Sequence, residues 1–203
     1  MATWASAVLS RWSRTASAVL LAAILAWLPP AVLAMDKDEA LALLREGEAV
    51  LILRHALAPG TGDPPGFDIG DCSTQRNLNE RGREQARAWG PFLQEHGIER
   101  ARVLSSQWCR SMDTAEAMGV GDVVEFPPLN LFFGGQGDRE RQTRETIAHV
   151  NAMDAGDPII LVSHQVNTRA LTGASVRSNE GVVVRLPLAS GQGVLASFNT
   201  YIQ

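Results

Sequence analysis

Two aliphatic runs of strand length stand out along the chain, "AVLIL" at 49–53 and "PIILV" at 158–162, and each leads through one polar residue to a histidine. Unbroken runs of this kind lack the period of an amphipathic helix or a half-exposed strand. They fit strands buried on both faces of a sheet. Shorter runs in "ARVLSS" and "DVVEF" predict two more strands, and "GVVVRLPL" with "GVLASFN" predicts a pair joined by a turn at 190–193. Between these runs helical spacing takes over. Residues 36–47 predict a helix that Asp36 caps and Gly47 ends. After Asn79, a fair N-cap, Ala86, Trp89, Leu93 and His96 recur near helical spacing until Gly97, with Pro91 predicted to kink or split the helix. "QWCRSMDTAEAMG" and residues 140–153 predict two further helices. Strands alternating with helices imply an α/β layered fold with a mainly parallel sheet. Two stretches rich in glycine interrupt the alternation, 56–73 and "NLFFGGQGD", and both must be loops. A loop as long as 56–73 inside a compact domain is usually a functional one.

The first 34 residues follow a different pattern. Arg11 and Arg14 precede an uncharged apolar run, Ala16 to Leu28, then Pro29-Pro30 and "AVLA" ending at Ala34. A positive flank, a short apolar run and small residues at a cleavage position are the marks of a secretory signal peptide, and the run falls short of the about 20 residues that span a bilayer. The expectation is a signal peptide at 1–34, one domain at 35–203, a periplasmic or secreted protein, and no membrane span once the signal is cleaved. Cleavage would leave 16 basic against 22 acidic side chains, a net charge of −6. Nucleic-acid binding through general electrostatics is excluded by that balance, because neutralising phosphates needs clustered Lys and Arg. Cys72 and Cys109 lie beyond the signal and are able to pair in an oxidising compartment, a pairing that spacing leaves open. No Cys/His cluster predicts a metal site.

In an open α/β sheet the working site lies outside the carboxyl ends of the strands. Three predicted strands deliver polar residues there: Leu53 leads to Arg54-His55, Leu104 through Ser105-Ser106 to Arg110, and Val162 through Ser163 to His164. Two guanidiniums at one edge would hold a phosphoryl group through charge-assisted hydrogen bonds at every working pH. A neutral imidazole beside them can attack phosphorus and form a phosphohistidine. A second imidazole, if protonated, would stabilise the equatorial oxygens. Such chemistry calls for no metal and no cofactor.

"LILRHA", "RNLNERGREQA", "LSSQWCRSMDTA" and "ILVSHQVN", in that order, resemble the motif regions of the histidine phosphatase superfamily, the phosphoglycerate mutase-like fold, over about residues 48–175. The second stretch resembles the small bacterial members, phosphohistidine phosphatases among them. This resemblance implies a three-layer sandwich with a mainly parallel central sheet flanked by helices. It implies His55 as nucleophile, His164 as second pocket histidine, Arg54 and Arg110 as phosphate-binding arginines and Arg76 as a third. The expected activity is an exported phosphatase acting on a phosphorylated small molecule, glycan, lipid headgroup or protein side chain.

Three positions depart from the family's pattern. The first motif usually reads Arg-His-Gly, and Ala56 stands in third place. A proton-donating glutamate or aspartate is expected at one of two places that Asn130 and Gln165 occupy, and neither amide can protonate a leaving group. Asp68, Asp71, Asp138 and Glu140, in or beside the loops, are alternative acids, each with an ordinary solvated role as the competing reading. A substrate with a good leaving group, such as phosphohistidine or an acyl phosphate, would need no donor. The competing function is a non-enzymatic phosphate-recognition module that keeps the Arg/His pocket without the acid.

Overall fold

The computed structural model describes residues 35–134 and 136–200, so the expected signal peptide at 1–34 lies outside the described residues. In chain order the elements are α1 (Lys37–Arg45), β1 (Ala49–Arg54), α2 (Glu80–Arg87), α3 (Trp89–Glu95), β2 (Arg102–Ser105), α4 (Cys109–Met118), β3 (Val123–Glu125), α5 (Arg139–Asn151), β4 (Ile159–Ser163), α6 (Gln165–Thr172), β5 (Glu180–Arg185) and β6 (Ala196–Asn199). Single 3-10 turns cover Cys72–Thr74 and Pro127–Leu129. The strands lie in the order β3-β2-β4-β1-β5-β6. β3, β2, β4 and β1 run parallel, and β5 is antiparallel to both of its neighbours.

The two aliphatic runs occupy the centre of this sheet, and each has apolar side chains for both faces. Ala49, Leu51 and Leu53 of β1 pack with Leu41 and Leu44 of α1, Trp89 and Leu93 of α3, and Ala115 and Met118 of α4. Val50 and Ile52 turn the other way, into a second cluster with Val150 of α5 and Leu171 of α6. Helices therefore cover both faces, and the fold is the three-layer α/β sandwich.

Pro91 does split its helix. α2 and α3 share Ala88 as a hinge of ordinary helical geometry, and Pro91 falls in the first turn of α3, where a missing N–H breaks no intrahelical bond. The helix α6 was not predicted. Its run "QVNTRALT" holds Asn167 and two threonines, residues that compete with their own backbone. Here the Thr168 and Thr172 hydroxyls bond the carbonyls of His164 and Thr168 one turn back, and Leu171 is buried against the sheet.

Candidate active site

Strand register builds the site. Arg54 stands opposite Ser163 across the β1–β4 pair, and Ser105 of β2 stands opposite Val162. The amide of His55 then donates to Ser163 O at 2.9 Å and that of Ser106 to Val162 O at 2.9 Å, so three strands end at one level. His55 and His164 come side by side with ring centroids 5.4 Å apart, and each is buried. The carbonyl of His55 is gripped from β5's end by the amide of Asn179, a buried residue in the left-handed region at φ 63°. Its side chain is fixed in turn by the Trp89 indole at 2.9 Å and by Thr200.

Nδ1 of His55 lies 2.7 Å from Ala56 O. Only a protonated nitrogen donates to a carbonyl, so Nδ1 carries the hydrogen and Nε2 keeps its lone pair. Burial first, and then the Arg110 charge, holds the His55 pKa well below its ordinary value and keeps the ring neutral. Ala56 is fully buried with no positive φ, and its amide donates to Thr114 Oγ1 at 3.0 Å. A glycine's conformational freedom is not needed at this position.

The motif "RNLNERG" anchors the chain just past His55. Asn79 caps α2 by accepting from Gly82 N at 2.8 Å, and the amide of Asn79 donates to Leu57 O at 3.3 Å. Gln85 accepts the Leu57 amide at 3.2 Å. Gly82 lets the helix sit directly on that backbone, since a Cβ there would come within 2.1 Å of Leu57 O.

Three arginines meet at the pocket. Arg54 donates to Val176 O at 3.1 Å and to Gln165 Oε1 at 3.3 Å. Arg110, in the first turn of α4 and 1% exposed, forks onto Asp63 at 2.7 and 3.2 Å. Arg76 is folded back by Gly62 O at 2.8 Å and by Ala58 O. Nε of Arg54, Nε of Arg110 and Nδ1 of His164 are buried without a partner. Among the described residues they are the only buried side-chain nitrogens in that state, and they belong to three different elements of one site. Buried polar atoms left unpaired are costly, and the two arginine Nε–H groups among these mark a place that favours an acceptor.

For His164, whose protonation the sequence leaves open, burial, with His55 and Arg110 after it, lowers the pKa well below the ordinary value and favours the neutral ring. Its Nε2 lies 2.9 Å from Ser106 Oγ, which also reaches Asn130 Oδ1 at 3.3 Å.

The pocket, a cavity of about 220 Å³, is lined by Arg54, His55, Arg76, Arg110, His164 and Gln165 over its polar part. Leu131, Phe133 and Val166 supply an apolar side, and among the described residues no carboxylate lines it. Asn130 is engaged with Gln107 and Ser106. The alternative acids all have structural partners or stand elsewhere: Asp68 accepts from Gly70 N, Asp71 caps the 72–74 turn, Asp138 caps α5, and Glu140 lines a separate cleft of about 430 Å³ on α5. Cys72 and Cys109 form a disulfide. Sequence reasoning missed Asp63, because a carboxylate between glycine and proline in a loop has no periodicity to mark it. Its one signal is position, in the loop that leaves His55.

Residues 50–128 match the model of the histidine phosphatase superfamily (branch 1). Mitochondrial serine/threonine-protein phosphatase Pgam5 of Drosophila persimilis is 42% identical over 50 residues, which are 25% of this chain and 17% of that protein. The match thus spans about a sixth of that relative's length. Among solved structures, the protein histidine phosphatase SixA complexed with tungstate superposes with a TM-score of 0.54 at 19% identity, covering 75% of this chain and 97% of SixA. Mycobacterial glucosyl-3-phosphoglycerate phosphatase bound to VO3 gives a TM-score of 0.51 at 17% identity, over 72% and 99% of the two chains. The family match and the shared fold support the histidine phosphatase superfamily, and the fold is the phosphoglycerate mutase-like one.

Proposed function

We propose that the protein is an exported phosphatase that works through a phosphohistidine at His55. The observation that carries this reading is the neutral His55 with Nδ1 bonded to Ala56 O, its Nε2 lone pair held beside three arginines. Nε2 attacks phosphorus, the bond to the leaving group breaks, and its electron pair departs with that group. Water then attacks the phosphohistidine, inorganic phosphate leaves, and the lone pair returns to Nε2. Arg54, Arg76 and Arg110 neutralise the phosphoryl oxygens in both steps. His164 stands beside His55 as a second imidazole lining the pocket, its Nε2 held 2.9 Å from Ser106 Oγ.

A pocket without a lining carboxylic acid favours leaving groups that depart unprotonated, such as imidazole in phosphohistidine, acyl phosphates and aryl phosphates. The SixA likeness is of the same tenor. Export through residues 1–34 is part of the proposal, and the Cys72–Cys109 disulfide supports it, since such bonds persist in oxidising compartments. The mechanism uses no metal, so turnover survives chelation.

The test is hydrolysis of p-nitrophenyl phosphate by the wild type beside His55→Ala, with trapping of radiolabelled phosphate in an acid-labile form. Activity and label in the wild type alone are expected. Tight phosphate binding with neither activity nor label would replace the enzyme by the phosphate-recognition module, the reading that the missing acid favours.

A further inference from the structure

Residues 58–78 leave the end of β1, cross the pocket and return at α2, and along the way they fasten onto the first turn of α4. Asp63, with a side chain 5% exposed, accepts both forks of Arg110 and the Trp108 indole N–H at 3.0 Å. Phe67 stacks on Trp108 with ring centroids 5.0 Å apart. The amide of Cys109 donates to Gln75 Oε1 at 3.0 Å, and Cys72 is bonded covalently to Cys109. The same strap places Arg76, whose amide donates to Asp63 Oδ1 at 3.2 Å and whose carbonyl accepts from Arg110 at 3.4 Å. Two of the three pocket arginines are thus held by strap contacts rather than by the sheet.

We propose that this strap sets the phosphate-binding geometry: Asp63 is a positioning residue that acts through Arg110, and the Cys72–Cys109 disulfide latches it, so that affinity for a phosphoryl group depends on the intact bond. This rests on the reading of the pocket as a phosphoryl site. Three guanidiniums converging on one pocket repel one another, and a single carboxylate bonded to the buried one makes the cluster tolerable while leaving a net positive pocket. A bidentate carboxylate also removes the rotation of the guanidinium, so less ordering is left to be done when an anion binds. Burial pushes the Asp63 carboxyl up, but hydrogen bonds from Arg110 and Trp108 outweigh it and hold the group below the usual carboxylate range, ionised. Asp63 therefore braces the site and does not protonate a leaving group. Breaking the latch takes a dithiol: it gives two electrons and two protons, the S–S bond becomes two thiols, and the dithiol closes into its own disulfide.

Calorimetric titration of the purified protein with inorganic phosphate tests this. The oxidised wild type is expected to bind, and complete reduction with dithiothreitol, verified as two free thiols by mass, is expected to raise Kd about tenfold. Cys72→Ser/Cys109→Ser should match the reduced protein and ignore the reductant. Asp63→Asn keeps the disulfide and nearly the shape, so it tests the brace apart from any unfolding on reduction; its Kd and KM should rise together about tenfold, with Asp63→Glu restoring part of the loss. Wild-type affinity in Asp63→Asn, or an affinity unmoved by full reduction, overturns the strap. Failure of the oxidised wild type to bind phosphate overturns the reading of the pocket itself, and the strap with it.

Discussion

The groups of the pocket are held in two different ways. Arg54, His55 and His164 stand on or directly after β1 and β4, and their backbones are fixed by sheet register and by the carbonyl–amide bonds at its edge. Arg76 and Asp63 stand on a loop without regular structure, and their places depend on side-chain hydrogen bonds, one ring stack and one covalent bond. Arg110 belongs to both, with its backbone on α4 and its guanidinium on the strap. His55 thus sits in the part that cannot move without unfolding, whereas two of the pocket's arginines, Arg76 and Arg110, are held by a part that can. A fold can separate chemistry from affinity in this way, because a sheet positions atoms through many shared bonds and a loop through a few.

The largest effect should come from the sheet. His55→Ala removes the nitrogen proposed to attack phosphorus and is expected to lower kcat by at least about a thousandfold, with phosphate affinity altered far less. Stopped hydrolysis with retained phosphate binding, measured on one preparation, would separate the two regions; retained turnover would break the comparison. Arg54→Lys keeps the charge and loses the fork, and a fall of about a hundredfold in kcat/KM is expected. Strap substitutions should act about tenfold and on affinity.

Gly82→Ala probes the seam between the two regions. A Cβ there would meet Leu57 O at 2.1 Å, which forces α2 off the chain that follows His55. The expected cost is about 1–3 kcal/mol, read as a lowered Tm. A pH dependence of stability is also expected. His55 and His164 both have folded pKa values depressed below the ordinary 6.5. Below that pH the unfolded chain takes up protons that the folded chain refuses, so stability is full above about 6.5 and declines as pH falls. The slope is up to about 1.4 kcal/mol per pH unit for each histidine, and His55→Ala should remove one share of it in denaturant titrations between pH 5 and 6.5.

Local pattern made much of this visible. "AVLIL" and "PIILV" have no polar residue to turn toward solvent, so they had to be central strands, and the polar residues after them had to stand at the sheet's carboxyl edge. Helix ends at Asp36, Asn79 and Gly119 were legible for the same reason: caps are decided by neighbours a few residues away. α6 was not legible, because its threonines find partners only once the turn has formed and Leu171 is covered. The charge state of His164 was also out of reach, since it depends on burial and on cations brought by other elements.

By itself, then, the sequence determined the strands, their order of chemistry and the candidates Arg54, His55, Arg110 and His164, because each follows from periodicity and short-range motif. Tertiary structure alone decided that Asp63 pairs with Arg110, that Cys72 meets Cys109, and that, among the described residues, no carboxylate lines the pocket. The first two of those facts are contacts between residues 37 and 47 positions apart in the chain. Such contacts are fixed by how a loop packs on a helix, and no local pattern encodes them.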